Sequence, residues 1–287
     1  MSNTVSLEEI PYSPDSCDLF DRLRELPGAA LLDSSFPHSQ CGRYDILCAL
    51  PEMPPPAPAT RDTQSAWFNY YDELTHFHRE YYGDVQPASQ DIPFSGGLLG
   101  MVGYDCGNAL NHVSDAPQPT RYSGARLGAY SWAVVQDHLL QRSVLAAQPS
   151  VSAATRSDLL SRLRSRSVVE TPSFVLTAPF VSNIQERAYR SAFERVQAYI
   201  QAGDCYQVNL AQRFTADYEG DPWAAYRLLR ASAAAPFSAY LALENGEVAM
   251  SLSPERFLSL HGHHVQTAPI KGTRPRYSDR AADTMAA

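Results

Sequence analysis

Hydrophobic side chains in the carboxyl-terminal half of the chain recur at the spacing of one helical face. The intervals are four, three and four residues, at Tyr189, Phe193, Val196 and Ile200. This period predicts an amphipathic helix that ends at Gly203, because glycine commonly follows the last helical turn. Asn183, with Glu186 three residues later, resembles a capping box and predicts the start of this helix.

After residue 203 the hydrophobic positions alternate, which predicts a strand over 204–214. One face would carry Tyr206, Val208 and Leu210, and the other Gln207, Asn209 and Gln212. Asp221 and Pro222 then predict the first turn of a helix that runs to about Ala234.

The chain continues into a predicted antiparallel meander. Strands at 237–243 and 247–252 are joined by an Asn-Gly pair, which favours a tight hairpin. A third strand over 253–260 follows before the chain reaches Lys271. This order would place Glu255 and Lys271 at the ends of neighbouring strands.

The amino-terminal half shows the same two periods with more turns between them. Apolar runs predict strands at 28–35, 43–50, 128–138 and 141–145, and helical spacing predicts helices at 62–82 and 155–167. Leu74, Phe77 and Tyr81 form the predicted core face of the first helix. Five prolines within 51–60 predict an exposed loop, and four glycines within 94–105 predict close contact with another strand.

Composition narrows the class of protein that these elements form. With 287 residues and 44% hydrophobic side chains, the chain can bury a sizeable core. No apolar run reaches the roughly 18 residues of a membrane span. Met1 to Pro14 is acidic without a basic, apolar leader, which predicts no signal peptide and a cytoplasmic location.

Cysteine usage and charge exclude further classes. The five cysteines are odd in number and lack paired metal-ligand spacing, which predicts reduced thiols instead of disulfides or a zinc site. His138 is expected in a turn and not as a metal ligand. The net charge of −8 disfavours nucleic acid as the main partner but permits a small anionic substrate held by local arginines.

One lysine, Lys271, stands among 23 basic residues. Unlike a guanidinium, an amine can lose its proton when it is desolvated and can then attack carbon. Arg274 and Arg276 are close in sequence and would favour the neutral amine. The alternative is a solvated surface lysine in an arginine-rich chain, and composition alone leaves both interpretations open.

Glu255 is the predicted acid beside this nucleophile. A carboxyl group in a partly desolvated cleft can hold a proton near neutral pH and give it to a departing hydroxyl. The alternative is a salt bridge between Glu255 and Arg256 or Arg276.

Three segments in this order, 203–210, 251–257 and 269–276, resemble the motifs of the chorismate-utilising enzymes. The resemblance implies an α+β fold in which two antiparallel β-sheets pack together with helices outside, as in anthranilate synthase component I. It also implies an amino-terminal region over 1–180 and the start of a chorismate-binding catalytic region over 181–287, within one interleaved fold.

The resemblance implies a reaction. Aminodeoxychorismate synthases of this family use a lysine at the position of Lys271 to attack C2 of chorismate, which expels the C4 hydroxyl before ammonia enters at C4. Glu255 would protonate that hydroxyl and later act as a base. Anthranilate synthases carry alanine in place of Lys271, and isochorismate and salicylate synthases carry a water-activating lysine in place of Gln207. Lys271 with Gln207 therefore implies amination at C4, with Gln207, Thr273 and Arg274 binding the substrate.

The implied partners are chorismate and a glutamine amidotransferase subunit that supplies ammonia. The product would be 4-amino-4-deoxychorismate, for 4-aminobenzoate and folate biosynthesis. Two alternatives stay open: an anthranilate or salicylate synthase, and an inactive fragment that retains only tryptophan binding or glutaminase docking.

The family also binds L-tryptophan near the amino terminus. The matching positions are Ser34, Cys41, Gly42, Arg43, Tyr44, Pro236, Phe237 and Ser238. The resemblance leaves open whether this tryptophan is regulatory or structural. Asn108 departs from the family, because relatives often have arginine there.

Family members continue beyond residue 287 into a region with magnesium-binding glutamates. The sequence therefore resembles a carboxyl-terminally truncated member, with Mg2+ as the expected cofactor and its ligands outside this chain. Such a chain is expected to expose sheet edges and apolar surface.

Overall fold

The computed structural model describes residues 3–39, 41–52, 54–56, 63–89, 91–111, 124–165, 173–270, 275 and 277–286. They form two compact units, residues 1–169 together with 226–287, and residues 170–225. Both contain helices and antiparallel strands, so the coarse prediction of an α+β fold is confirmed. The predicted division after residue 180 stays a prediction.

The described residues form the following strands and helices. The strands are β1 (Ser6–Ile10), β2 (Ala30–Asp33), β3 (Tyr44–Cys48), β4 (Gly97–Val102), β5 (Ala125–Tyr130), β6 (Trp132–Asp137), β7 (Arg142–Ala147), β8 (Phe174–Leu176), β9 (Val181–Ser182), β10 (Phe214–Thr215), β11 (Tyr218–Gly220), β12 (Phe237–Ala242), β13 (Val248–Ser253), β14 (Ser259–His261) and β15 (His264–Gln266). The helices are α1 (Ser16–Phe20), α2 (Gln64–Tyr82), α3 (Cys106–Leu110), α4 (Ala153–Arg164), α5 (Glu186–Ala202), α6 (Pro222–Ala233) and α7 (Arg280–Ala286).

The larger unit is built on a seven-stranded antiparallel sheet. Its strand order is β1-β7-β6-β3-β2-β12-β13. Every residue of β6 is buried, as expected of a strand covered on both faces. β2 pairs with β12, which places Ser238 opposite Asp33 and joins strands that are far apart in sequence. This pairing brings together residues at the end of β2 and the start of β12 that the sequence predicts to bind tryptophan.

Two predicted hairpins are confirmed. β6 pairs with β7, and β12 pairs with β13. In the second turn Asn245 has a φ of 59° and Gly246 a φ of 73°. Both lie in the left-handed region that asparagine and glycine tolerate best, which explains why this pair joins the strands.

The glycine-rich stretch forms β4, which pairs with β5. A Cβ atom on Gly100 would lie 2.0 Å from the carbonyl oxygen of Arg126. The prediction that these glycines permit close backbone contact is therefore confirmed at this position.

Helix α2 buries most of the face that the sequence predicts, because Phe77 is buried and Leu74 packs against the core cluster. Trp67, Tyr70 and Phe77 are buried, whereas Tyr81 is 41% exposed. Trp67 and Tyr70 pack in one cluster with Cys106 of α3. The prediction is therefore confirmed at Leu74 and Phe77 and is wrong at Tyr81, which lies in the last turn of the helix. The proline-rich loop also differs from its prediction, because Pro55 is buried.

In the smaller unit, α5 ends at Gly203 as predicted, with a φ of 83°. The predicted capping box is wrong, because Gln185 is the N-cap residue and makes no side-chain cap bond. Asn183 Oδ1 instead accepts a hydrogen bond from Arg213 N at 2.7 Å. Its side chain is engaged across β9 and β10, so it does not serve the helix.

The strand predicted over 204–214 is wrong for most of its length. Only Phe214 and Thr215 are in a strand, paired with β9. Within the described residues no strand lies against 204–213, and alternation cannot form a strand without a hydrogen-bonding neighbour. The strand predicted over 253–260 also breaks, because β13 ends at Ser253 and β14 begins at Ser259.

Candidate functional site

Glu255 lies in a turn directly after β13. Ser253 Oγ donates to the carbonyl oxygen of Glu255 at 2.8 Å and accepts from Glu255 N at 3.3 Å. Glu255 is half-buried. The serine of this motif therefore fixes the backbone on both sides of the predicted acid.

Arg256 anchors the same turn. Its Nη2 donates to Gln266 Oε1 at 2.6 Å, and its guanidinium carbon lies 5.6 Å from the centroid of the Phe237 ring. Arg256 is one of the two salt-bridge partners considered for Glu255. Its described contacts go to Gln266 and Phe237 instead. Arg256 connects the segment that carries Glu255 to both β12 and β15.

Three predicted site residues, Lys271, Thr273 and Arg274, lie outside the described residues. The predicted position of Lys271 beside Glu255 therefore stays a prediction. Arg276, the second alternative salt-bridge partner of Glu255, also lies outside them.

Gln207 lies in the smaller unit, beside the apolar face of α5. A cavity of about 460 Å³ separates this helix from 206–211 and is lined by Tyr189, Phe193, Val196, Gln197, Ile200, Tyr206, Gln207, Val208, Asn209, Leu210 and Ala211. Gln207 is exposed, and its Nε2 donates to Asn209 Oδ1 at 3.4 Å. The side-chain amide of Gln207 therefore lies beside the apolar side chains of this groove. The segment 206–211 that carries it is not in a strand.

The residues predicted to bind tryptophan meet partly at one end of the β2–β12 pair. A Cβ atom on Gly42 would lie 2.1 Å from Ser34 Cβ, so only glycine fits beside this serine. Ser238 Oγ lies 3.4 Å from Ser35 Oγ and donates to Ala235 O at 2.8 Å. Ser34, Gly42 and Ser238 therefore share one region.

The remaining predicted tryptophan-binding residues surround this region with more exposed groups. Arg43 donates to Asp137 through Nε and Nη2, and its guanidinium lies 4.6 Å from the centroid of the Tyr44 ring. Pro236 is half-buried, Phe237 is 38% exposed and Cys41 is exposed. The role of these residues in binding stays a prediction.

Ser34 has one unusual property. It is only 2% exposed, and its Oγ has no hydrogen-bond partner among the described residues. A buried hydroxyl without a partner is costly and therefore uncommon in native structures. The group is suited to receive a hydrogen bond from, or give one to, a bound molecule.

Sequence reasoning missed the buried ionic groups beneath this region. Arg230 Nε donates to Asp33 Oδ2 at 2.6 Å, and Tyr226 OH donates to the same oxygen at 2.8 Å. Tyr226 and Arg230 are four residues apart and so lie on one face of α6, which only weakly indicates that they share a partner. Their partner lies 197 residues from Arg230, and no local pattern indicates such a pairing.

A second missed group is Asp45, which is fully buried. Its Oδ2 lies 2.8 Å from His138 Nε2 and accepts from Ser16, while its Oδ1 accepts from Ser34 N at 2.6 Å. Burial raises the pKa of Asp45, but the hydrogen bonds from His138, Ser16 and Ser34 outweigh it and leave the pKa below its usual value. His138 lies in a turn as predicted, and it is also a buried partner of this carboxylate.

Burial also lowers the pKa of Arg230, but the hydrogen bond to Asp33 outweighs this effect and raises that pKa overall. Arg230 therefore stays charged beneath β2.

The Mg2+ ligands are expected outside this chain, and this stays a prediction. Among the described residues, no group of three or more His, Cys, Asp or Glu side chains could hold a metal ion. No helix in the described part of the chain is long and apolar enough to cross a membrane.

Comparison with known proteins gives three results. A family profile described as chorismate binding enzyme matches residues 51–287. "Aminodeoxychorismate synthase component 1" of Klebsiella aerogenes is 36% identical, over 96% of this chain and 62% of that protein. The protein of the same name from Salmonella typhimurium is 38% identical, over 97% of this chain and 62% of that protein. The chain thus spans about three fifths of the length of these curated relatives.

A solved structure supports the fold. The crystal structure of anthranilate synthase component I from Streptococcus pneumoniae superposes with a TM-score of 0.60 at 22% identity, over 78% of this chain and 53% of that chain. At this identity the likeness concerns the fold alone.

Proposed function

The chain belongs to the chorismate-binding enzyme family, and from this premise we propose that it is part of an enzyme that converts chorismate and ammonia into 4-amino-4-deoxychorismate. The observation that carries the proposal is the combination of Lys271 with Gln207 in matching motifs. The relatives named aminodeoxychorismate synthase component 1, which match nearly the whole chain at 36% and 38% identity, support it.

In the proposed reaction the Lys271 amine attacks C2 of chorismate and forms a C–N bond. Both conjugated ring double bonds shift, and the C4 hydroxyl leaves as water after Glu255 donates a proton. Ammonia then forms a bond to C4, both double bonds shift back, and the bond between C2 and Lys271 breaks. The proton that ammonia loses passes to Glu255, which restores the starting protonation of the acid.

The geometry around Glu255 supports its role as the acid. Its backbone is fixed by Ser253, and the neighbouring Arg256 is occupied by Gln266 and Phe237. A proton donor acts efficiently only when its position is held, because a misplaced group loses much of the advantage of proximity.

The proposal for the complete protein includes two further components. A glutamine amidotransferase subunit would supply ammonia, and Mg2+ would be held by residues outside this chain. The proposed fold includes a second antiparallel sheet packed on the first, to which the extended segments around Gln207 and Glu255 would belong.

We also propose that the region around Ser34 binds L-tryptophan. The buried hydroxyl of Ser34 without a described partner, the fit of Gly42 against it and the nearby Ser238 support this assignment. Phe237 would offer an aromatic surface to the indole ring.

The catalytic proposal is tested by product analysis and intact mass. The complete protein is incubated with chorismate, Mg2+ and ammonium, and we expect 4-amino-4-deoxychorismate together with a protein adduct of chorismate minus water. Lys271→Ala should lose the adduct, and Lys271→Arg, which keeps the charge, should lose it too. Lys271 is the only lysine in these 287 residues, so an adduct that peptide mapping finds on a lysine of this segment is assigned to it.

Other outcomes point elsewhere. Anthranilate or salicylate as the product would replace the proposed reaction. An adduct that persists in Lys271→Ala would end the covalent role of this lysine. Tryptophan binding without turnover of chorismate would favour a binding module.

The tryptophan proposal is tested by alkylation of Cys41. This thiol is exposed, while Cys205 is half-buried and lies in the smaller unit, where it serves as an internal reference. L-tryptophan should slow the reaction of Cys41 with iodoacetamide and leave the rate of Cys205 unchanged. Equal rates for Cys41 at every tryptophan concentration, with no heat of binding, would remove the site.

A further inference from the structure

The loop that follows β2 is held by two buried carboxylates. Ser34 N donates to Asp45 Oδ1 at 2.6 Å, and Ser35 N donates to Asp33 Oδ1 at 2.6 Å. Ser35 has a φ of 59°, a left-handed conformation that costs energy for a residue other than glycine. The surrounding contacts therefore impose the conformation of this loop.

The same loop is fixed at its next residue. Arg230 Nη2 donates to Phe36 O at 2.7 Å while its Nε donates to Asp33. The Phe36 ring stacks on the His138 ring with centroids 4.3 Å apart. Three consecutive residues thus have either their amide or their carbonyl group bonded to a buried charged side chain.

Asp45 is itself fixed from the other side. Its Oδ2 accepts from Ser16 and lies 2.8 Å from His138 Nε2, and His138 Nδ1 lies 2.9 Å from Tyr12 OH. With these partners the carboxylate has little freedom to turn away from the Ser34 amide. The contacts are buried, so water does not compete for them effectively.

The hydroxyl of Ser34 is the exception in this network. Its backbone is bonded and its side chain is packed against Gly42, yet its Oγ has no described partner. Fixing the backbone of a residue while leaving its hydroxyl unsatisfied is unfavourable for stability alone. The arrangement suits a group that is held ready for a ligand.

We infer that Asp45 is a positioning residue of the ligand site, because it fixes Ser34 in its binding conformation before the ligand arrives. The inference rests on the proposed tryptophan site and adds that the loop is pre-organised. Binding then does not have to order the loop, and affinity depends on Asp45 although this residue does not touch the ligand.

The test measures the dissociation constant of L-tryptophan by calorimetry on the complete protein. Asp45→Ala should raise the dissociation constant by at least about tenfold. The matched control is Ser131→Ala, which removes a hydrogen bond from a buried serine to Glu52 Oε2 at 2.7 Å, outside the network around Asp45. It should lower the melting temperature and leave the dissociation constant within about twofold of the wild type.

A second measurement decides the matter if Asp45→Ala does not fold. Hydrogen exchange of the Ser34 amide in the wild-type protein should be slow without tryptophan and should change little when tryptophan is added. A rapid exchange that becomes slow only upon binding would overturn the pre-organised loop.

The outcomes separate the inference from the site itself. Wild-type protein that binds tryptophan, with Asp45→Ala folded and equally tight, overturns the inference alone. Wild-type protein that does not bind tryptophan overturns both the inference and the proposed site. Weaker binding by Asp45→Ala, with unchanged binding by Ser131→Ala, supports the inference.

Discussion

The guanidinium carbon of Arg256 lies 5.6 Å from the centroid of the Phe237 ring. Phe237 is opposite Ser253 in the β12–β13 register, and Ser253 fixes the turn that carries Glu255. This contact therefore links the proposed acid to a residue of the proposed tryptophan site, within the larger unit.

Arg256→Gln should loosen the turn that holds Glu255, because it removes the cation–π contact with Phe237. We expect kcat to fall by about threefold to tenfold with little change in KM for chorismate, since the acid and not the binding of substrate is affected. Steady-state kinetics with ammonium measures both constants. Arg190→Gln, which removes an exposed ion pair on α5, is the control and should have no effect. A change confined to KM would contradict this role.

Arg230→Met should destabilise the protein strongly. It leaves Asp33 buried without its guanidinium partner, which typically costs about 3–5 kcal/mol. Arg227→Met removes a neighbouring ion pair between α6 and Asp21. The Arg227 side chain is 34% exposed, so this variant should lower the free energy of unfolding by under about 1 kcal/mol. Urea unfolding gives both values. Equal losses in the two variants would show that the burial of Asp33 is not what sets the cost.

Gly100→Ala should be destabilising by about 1–3 kcal/mol, because its Cβ atom would meet the carbonyl oxygen of Arg126 at 2.0 Å. Gly107→Ala is the matched control. Its Cβ atom would have Asn111 Nδ2 as its nearest neighbour at 3.7 Å, and alanine favours a helix by up to about 1 kcal/mol. Thermal unfolding of the two variants should therefore shift in opposite directions, and a neutral Gly100→Ala would argue against the tight β4–β5 contact.

The contribution of Asp137 to the stability of the folded protein should decrease in acid. Burial raises the pKa of Asp137, but hydrogen bonds from Arg43 and from the backbone of Leu140 and Leu139 outweigh it and leave the pKa below its ordinary value. A lowered folded-state pKa gives stability that is present above the unfolded-state value of about 3.9 and is lost as the pH falls through the folded-state value.

The difference in unfolding free energy between wild type and Asp137→Asn should therefore shrink as the pH falls from 6 towards 3. Urea titrations at a series of pH values measure it. Asp158→Asn, at an exposed pair with Arg162, is the control and should change the free energy of unfolding by under about 1 kcal/mol. A difference between wild type and Asp137→Asn that grows in acid would reverse the sign of this argument.

The elements that follow from local chemistry could be predicted from the sequence. The period of Tyr189, Phe193, Val196 and Ile200 predicted α5, Gly203 predicted its end, and Asn245 with Gly246 predicted the β12–β13 turn. The sequence also contains the single lysine and the motifs that indicate the family. Each of these signals depends on residues within a few positions of one another.

Tertiary structure decided what depends on distant partners. The alternation over 204–213 does not form a strand there, because a strand needs a neighbour to bond with. Asp33 could not be matched with Arg230, nor Ser34 with Asp45 and His138, before the sheet brought them together. A buried charge must be paired wherever the fold places it, and only the folded chain determines which residue is close enough to be its partner.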